Sequence, residues 1–130
     1  MGVFRDAEIE YLGSQRLGRL ATVGHDGMPH VVPVAFRYNP DTDTIDVGGH
    51  HFAQRKKFRD VQRTGMAALV VDDVLPPWQP RAVEVRGEAS TLGTGGKAIN
   101  EGFDDPIIQI TPGRIVSWGL GDGFQARSVG

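Results

Sequence analysis

Residues 17–36, LGRLATVGHDGMPHVVPVAF, contain two runs of mostly apolar positions separated by a short polar stretch. Two runs of strand-forming residues flank His25, Asp26 and Gly27, and an Asp-Gly pair between such runs indicates a β-hairpin. Both faces of each predicted strand are largely apolar, which is typical of strands that are covered on both sides. The pattern therefore predicts a hairpin between the core and a second surface from which water is excluded.

Two short helices are predicted on either side of the hairpin. The first begins with Asp6 as its N-cap and ends near Gly13, because a short side-chain acceptor starts a helix and glycine favours its end. The second covers residues 54–63, where Phe58 and Val61 are expected to face inward and the charged residues outward.

The remaining segments indicate a mainly β fold. The apolar run 66–71 predicts a strand buried on both faces, whereas residues 72–81 contain three prolines and are expected to lie outside the sheet. Further segments are a strand around Ile45 and Val47, a strand at 82–89, a loop with a helical turn at 93–106, and a last strand at 107–118 that bends at Pro112 and Gly113. About six strands joined mostly by short turns favour an antiparallel β-barrel.

Composition narrows the classes of protein that this chain can be. Its 130 residues, without repeat or linker, predict one domain over residues 1–130. A formal net charge of −2 argues against a nucleic-acid partner, and the absence of cysteine excludes thiolate metal sites. No apolar run approaches the roughly 20 residues that span a bilayer, so a cytoplasmic protein without membrane association is expected.

A candidate anion site lies in GGHHFAQRKKFR, residues 48–59. Two glycines lead from a predicted strand into a predicted helix and permit backbone conformations that other residues avoid. Arg55, Lys56, Lys57 and Arg59 fall in the first turns of that helix. Free backbone N–H groups at a helix N-terminus and nearby cations bind anions. The alternative, a solvated basic helix face, remains equally open from the local sequence.

The histidines and tryptophans leave several alternatives. Two roles are open for His30: a proton donor, or a polar residue at a strand edge. Three are open for Trp78: it covers the end of the sheet, packs against a second subunit, or contacts a planar ligand. Trp118 is expected in the core. The spacing of the four histidines does not match a metal site, so none is predicted; they are His25, His30, His50 and His51. Because no catalytic motif is present, no catalytic residue is assigned, and an enzyme would borrow its reactive group from a cofactor.

The combination of GRLATVGHDGMPHVVPVAF, RKKFRDVQRTGMAALVVD, VEVRGEA and QITPGRIVSWGL resembles the pyridoxamine 5′-phosphate oxidase-like superfamily. Within it, the chain resembles the deazaflavin-dependent oxidoreductases that use coenzyme F-420. The resemblance implies a split β-barrel of the FMN-binding type, which forms a homodimer with cofactor sites at the interface. It also implies that segment 93–106 is shorter than the helix found there in many relatives, which bears on the shape of the substrate pocket.

The resemblance further implies a set of cofactor-binding residues. The phosphate is expected at Arg55 and Lys57, with Lys56 less central, and Trp78 is expected to approach the ring from the other subunit. The ring itself is expected beside His30, Val32, Pro33, Val34, Gly49, His50 and His51. Coenzyme F-420 is the favoured cofactor and FMN the alternative, and Arg59, Arg63 and Lys97 are candidates for contacts with the polyglutamate tail of F-420.

The function that follows from the resemblance is an oxidoreductase. Hydride would pass between the deazaflavin and a small unsaturated or quinone-like organic substrate. The alternatives are an FMN-dependent oxidoreductase and a non-catalytic carrier of flavin or deazaflavin, because both require the same cofactor-binding residues. A ligand-free interaction module is a third possibility, and it predicts that no cofactor binds.

Overall fold

The computed structural model describes residues 2–130. Two α-helices and seven strands form the fold; they are α1 Asp6–Gly13, β1 Leu17–Val23, β2 Pro29–Asn39, β3 Thr44–Gly48, α2 Lys56–Thr64, β4 Met66–Leu75, β5 Gln79–Leu92, β6 Ile107–Trp118 and β7 Gln125–Ser128. Short 3₁₀ turns lie at Phe52–Gln54 and Gly96–Ala98. Within residues 2–130 neither α-helix has the length and apolar character needed to cross a bilayer.

The strands form one antiparallel sheet in the order β3-β2-β1-β4-β5-β6-β7, and pairing of β3 with β6 closes six of them into a barrel. The predicted mainly β fold and six-stranded barrel are confirmed. The predicted hairpin is also confirmed, because β1 pairs with β2 from Leu17 opposite Ala35 to Val23 opposite Pro29. In its turn Gly27 has a φ of 82°, a conformation that glycine adopts at little cost.

The hydrophobic core fills the barrel, with side chains from every barrel strand. Leu20, Ile45 and Leu69 are each at most 1% exposed. The second helix covers one end of this core with Phe58 and Val61, as the sequence predicts, and both are buried. The helix begins at Lys56, later than predicted, and Arg55 is its N-cap. The N-cap of α1 is likewise Arg5 instead of Asp6.

The prediction that residues 72–81 lie outside the sheet is wrong. Strand β4 continues to Leu75 and β5 starts at Gln79, so only residues 76–78 form the turn. Pro80 pairs with Val74 on one side, but the pairing of β5 with β6 begins only at Ala82. The proline therefore lies where one side of β5 has no strand partner, and its missing N–H breaks no ladder bond.

Three further expectations differ from the structure. Strand β4 is buried on one face only, since Met66 is 54% exposed. Trp118 is not in the core; it lies on the outer face of the barrel, 36% exposed, and stacks on Phe124. Strand β7, which no apolar pattern predicts, adds to β6 outside the barrel.

A buried ion pair fastens β7 to α1. Glu8 is buried and accepts hydrogen bonds from both Arg127 Nη atoms, at 2.6 and 3.0 Å, and from Ser117 Oγ at 2.6 Å. Burial alone raises the pKa of Glu8, but the hydrogen bonds from Arg127, the Arg5 N–H and Ser117 outweigh it and lower the pKa below its usual value. The interactions that hold the last strand in place are thus polar, which explains why the apolar pattern did not predict it.

Candidate functional site

The candidate site lies at the corner where β3 ends and α2 begins. Between them, His51 has a left-handed conformation with a φ of 51°. The expected use of Gly48 and Gly49 for such a conformation is wrong, because neither has positive φ. Their lack of a side chain makes room instead: a Cβ on Gly48 would lie 3.0 Å from Ile99 Cδ1, and one on Gly49 would lie 3.3 Å from Phe52 Cδ1.

Two adjoining pockets meet at this corner and share Arg55 and Lys57. The small pocket, of about 140 Å³, is lined by Leu20, Thr22, His30, Val32, Lys56 and Asp60 in addition to the shared pair. The large pocket, of about 330 Å³, is lined by Pro33, Val34, Ala35, Gly48, Gly49, His50, Phe52 and Phe103 in addition to that pair. Nine of the eleven residues expected to bind a cofactor therefore line these pockets; His51 and Trp78 line neither.

Lys57 is a cation without a counter-ion in the described chain. It is half-buried and forms no ion pair within residues 2–130, and its Nζ lies 5.5 Å from the centroid of the Phe52 ring. Burial lowers the pKa of Lys57, and the positive charge of Arg55 lowers it further. Arg55 is exposed and donates from Nε to the His50 carbonyl oxygen at 3.3 Å. Two neighbouring cations that share no carboxylate favour binding of an anion between them.

Lys56 differs from Lys57, although the two are adjacent. Its Nζ donates to Asp60 Oδ1 at 3.0 Å, and the Asp60 carboxylate also accepts hydrogen bonds from Thr22 at 3.0 Å and Arg63 at 3.4 Å. Burial raises the pKa of Asp60, but these donors together keep it below its usual value. The charge of Lys56 is therefore already compensated by a buried carboxylate.

The start of α2 adds backbone donors to this cationic corner. No side chain caps the first turn of the helix, and the first N–H groups of a helix have no partner within it. Both Phe58 and Arg59 donate their N–H groups to the Arg55 carbonyl oxygen. The amides of Lys56 and Lys57 precede them, and such amides at a helix N-terminus favour a nearby anion.

His30 lies at the rim of the small pocket, among charged groups. A Cβ on Gly24 would lie 2.9 Å from His30 Nε2, 3.0 Å from Asp26 Oδ1 and 3.1 Å from Lys56 Nζ. Gly24 therefore leaves the space in which these three groups approach each other. The His30 imidazole therefore lies near a carboxylate and an ammonium group at the rim of the small pocket.

The other predicted residues lie away from the corner or already have partners. Trp78 is at the tip of the β4–β5 hairpin and is 75% exposed. Arg59 donates to the Gln54 carbonyl oxygen at 2.7 Å, Arg63 contacts Asp60 and the Val23 carbonyl oxygen, and Lys97 Nζ donates to the Phe103 carbonyl oxygen at 2.7 Å. No group of three or more metal-ligating side chains occurs in the described part of the chain.

Several residues that line the two pockets were not predicted from the sequence, among them Phe52, Phe103 and Asp60. Phe52 and Phe103 line the large pocket, and Asp60 anchors Lys56 beneath the small one. The only local signal for Asp60 is its spacing of four residues from Lys56 and three from Arg63, which is common on exposed helix faces. Phe103 is far from the corner in sequence, and no spacing rule connects the two.

The barrel is that of a split β-barrel protein. Residues 4–115 match the family described as pyridoxamine 5′-phosphate oxidase, and the chain belongs to that family. It is 43% identical to a 5a,11a-dehydrotetracycline/5a,11a-dehydrooxytetracycline reductase from Streptomyces rimosus, over 97% of this chain and 93% of that protein. The predicted relationship to the superfamily is confirmed.

Solved structures show the same fold. General stress protein 26 from Bacillus anthracis has 21% identity and a TM-score of 0.70, over 93% of this chain and 95% of that one. An FAD-binding protein from Mycobacterium smegmatis has 21% identity and a TM-score of 0.64, over 88% and 93%. A conserved hypothetical protein from Mycobacterium tuberculosis has 22% identity and a TM-score of 0.70, over 98% and 93%.

The residues of the corner fit a cofactor of the flavin type. Such a group combines a flat ring with a chain that carries phosphate. The unpaired Lys57, Arg55 and the free amides of α2 suit the phosphate, and the apolar lining beside them suits a ring.

Proposed function

We propose that this chain is an oxidoreductase that binds coenzyme F-420, with FMN as the alternative cofactor, in a single domain over residues 1–130. It transfers a hydride between the cofactor and a small unsaturated or quinone-like organic substrate. The observation that carries the proposal is the half-buried Lys57, which forms no ion pair within residues 2–130, beside Arg55 at the junction of two pockets that combine apolar and charged side chains.

Each part of the corner has a role in this proposal. Arg55, Lys57 and the first amides of α2 hold the phosphate, while Lys56, whose charge is paired with Asp60, contributes less. The ring-binding residues are His30, Val32, Pro33, Val34, Gly49, His50 and His51, of which all but His51 line the two pockets. The bound cofactor supplies the hydride, and the protein orients the reactants and excludes water from them. His30 is the candidate for exchanging a proton with the product.

The substrate class is suggested by the relative from Streptomyces rimosus, which is named as a reductase of dehydrotetracyclines. We propose a polycyclic, conjugated ketone of this kind as the first substrate to test. An identity of 43% over nearly the whole chain supports the same reaction class more strongly than the same substrate.

The proposed assembly is a homodimer with the cofactor at its interface. Exposed apolar side chains on the outer face of the β1–β2–β4 sheet support it: Val31 is 66% exposed and Met66 is 54% exposed. Trp78 is too far along the hairpin tip to line the pockets of its own chain, and in the dimer it approaches the ring of the other subunit. Covering the second face of the hairpin would also account for the apolar residues on that face.

The proposal is tested by calorimetric titration of the protein with FMN and with coenzyme F-420 in parallel. We expect saturable binding of at least one of them and tighter binding of F-420. Binding of neither would refute the proposal and favour a ligand-free interaction module.

A non-catalytic carrier would bind the cofactor equally well, so turnover must be measured separately. Reduced F-420 is mixed with the dehydrotetracycline, simple enones and quinones, and its reoxidation is followed by absorbance. Reoxidation that depends on enzyme and substrate supports the oxidoreductase. Tight binding without turnover of any substrate in the panel favours the carrier.

A further inference from the structure

Segment 93–106 folds back over the end of β3 and is fastened there by several hydrogen bonds. The Asp104 N–H donates to the Gly49 carbonyl oxygen at 3.1 Å, and Asp104 Oδ2 accepts a hydrogen bond from the Phe52 N–H at 3.1 Å. Within the segment, the Gly96 N–H donates to the Asp105 carbonyl oxygen at 2.9 Å. Asp104 thus ties the segment to the same loop that carries the cationic corner.

These bonds place Phe103 over the strand end and at the pocket. Its Cδ2 would lie 3.4 Å from a Cβ on Gly48. The Phe103 ring meets the His50 ring edge to face, with centroids 5.2 Å apart and planes at 83°. Both rings line the large pocket, together with Arg55 and Lys57. The His50 carbonyl oxygen also accepts a hydrogen bond from Arg55 Nε, so His50 contacts both the Phe103 ring and the guanidinium group.

We propose that Phe103 is the specificity-determining wall of the large pocket, which selects ligands that join a flat aromatic ring to an anionic chain. The ring lies against Phe103 and His50, and the anion lies at Arg55 and Lys57. Asp104 is a positioning residue, since it fixes the segment without lining the pocket. This inference rests on the proposed function, because it concerns the ring of the same cofactor. It adds Phe103 and segment 93–106 to the residues that the proposed function assigns to cofactor binding.

In this proposal one part of the pocket binds the ring of the ligand and another part binds its anionic group. An aromatic side chain contributes area and edge or stacking contacts to a ring, but it gives a bare anion nothing. Removing Phe103 should therefore weaken ligands that contain a ring and leave the affinity for a ring-free anion unchanged. Removing a cation would weaken both. Comparing the affinity for a ring-containing ligand with the affinity for a ring-free anion therefore shows whether Phe103 contacts the ring or only maintains the shape of the cationic corner.

The test measures dissociation constants of FMN and coenzyme F-420, and the inhibition constant of inorganic pyrophosphate as their competitor, for the full chain and its variants. For Phe103→Ala we expect an increase of about tenfold in the dissociation constants of the ring-containing ligands and an unchanged constant for pyrophosphate. Phe103→Leu keeps apolar bulk without a ring and should give a smaller increase. Leu92→Ala removes an exposed apolar side chain outside both pockets and should change neither constant.

The outcomes separate this inference from the proposed function. If the wild-type chain binds neither FMN nor F-420, the proposed function fails and the wall fails with it. If the wild type binds and Phe103→Ala binds the ring-containing ligand equally well, only the wall is refuted. An equal loss of affinity for pyrophosphate in Phe103→Ala would also refute the wall, because Phe103 would then act by shaping the cationic corner.

Discussion

The adjacent residues Lys56 and Lys57 should respond in opposite ways to the same substitution. Lys57→Met removes an unpaired cation from the pocket edge, whereas Lys56→Met removes the partner of the buried Asp60 carboxylate. Methionine keeps most of the apolar stem in each case, so the charge is the main change. We expect the first variant to lose ligand affinity with its stability intact, and the second to lose stability with a smaller change in affinity.

The magnitudes follow from the contacts. A charge-assisted hydrogen bond to a phosphate contributes about 1.5–3 kcal/mol, so Lys57→Met should raise the dissociation constant about 10- to 150-fold. Its stability at pH 7 should stay the same or rise, because a lysine with a lowered pKa in the folded state binds its proton more weakly there than in the unfolded chain. Lys56→Met leaves Asp60 with only Thr22 and Arg63, which should cost about 1–3 kcal/mol of stability.

The assay pairs calorimetric titration of FMN and F-420 with urea unfolding of the same preparations. Because burial and Arg55 lower the pKa of Lys57, wild-type affinity should also fall as the pH rises towards that pKa, below the pH at which an ordinary lysine titrates. Equal losses of affinity in the two variants would refute the distinction between a paired and an unpaired lysine. A Lys57→Met variant that binds the phosphate ligands normally would remove Lys57 from the site.

Other predictions concern the framework. Glu8→Gln should lower the free energy of unfolding in urea by about 2 kcal/mol, because it breaks the buried pair with Arg127. Since the pKa of Glu8 is lowered in the folded state, this difference should persist above pH 4.5 and vanish as the pH falls through that lowered value. Gly27→Ala should cost about 1 kcal/mol of stability, because Gly27 has positive φ. Gly13→Ala, in α1 with open space around it, should raise stability by up to about 1 kcal/mol. In thermal unfolding the Tm should therefore fall for the first variant and rise for the second. Gly87→Ala should lower the Tm more than Gly27→Ala does, because its Cβ would overlap the Thr111 carbonyl oxygen at the β-bulge.

The parts of the fold that were predicted from the sequence are those with local causes. The Asp26-Gly27 turn sets the register of β1 and β2 within a few residues, and the inward Phe58 and Val61 follow from helical periodicity. The cationic corner was predicted for the same reason: a strand end, a helix start and their basic residues are close in sequence.

The errors arise where distant residues decide the structure. Pro80 is accommodated in β5 because β6 pairs only from Ala82 onward, which no local pattern reveals. Strand β7 depends on Arg127 reaching Glu8, 119 residues earlier. The difference between Lys56 and Lys57 depends on the burial of Asp60, since a spacing of four residues alone describes a weak surface pair equally well.

The basic residues outside the corner differ from Lys57 in what they can contribute to cofactor binding. Arg59, Arg63 and Lys97 were candidates for the polyglutamate tail, but each already donates to a carbonyl oxygen of its own chain. A carboxylate of the tail would replace these hydrogen bonds, so its net gain is smaller than its charge suggests. Within residues 2–130 Lys57 donates no hydrogen bond to a carbonyl oxygen, so an anion there replaces no such bond. The phosphate shared by FMN and F-420 should therefore provide most of the electrostatic affinity, and a preference between the two must come mainly from the ring.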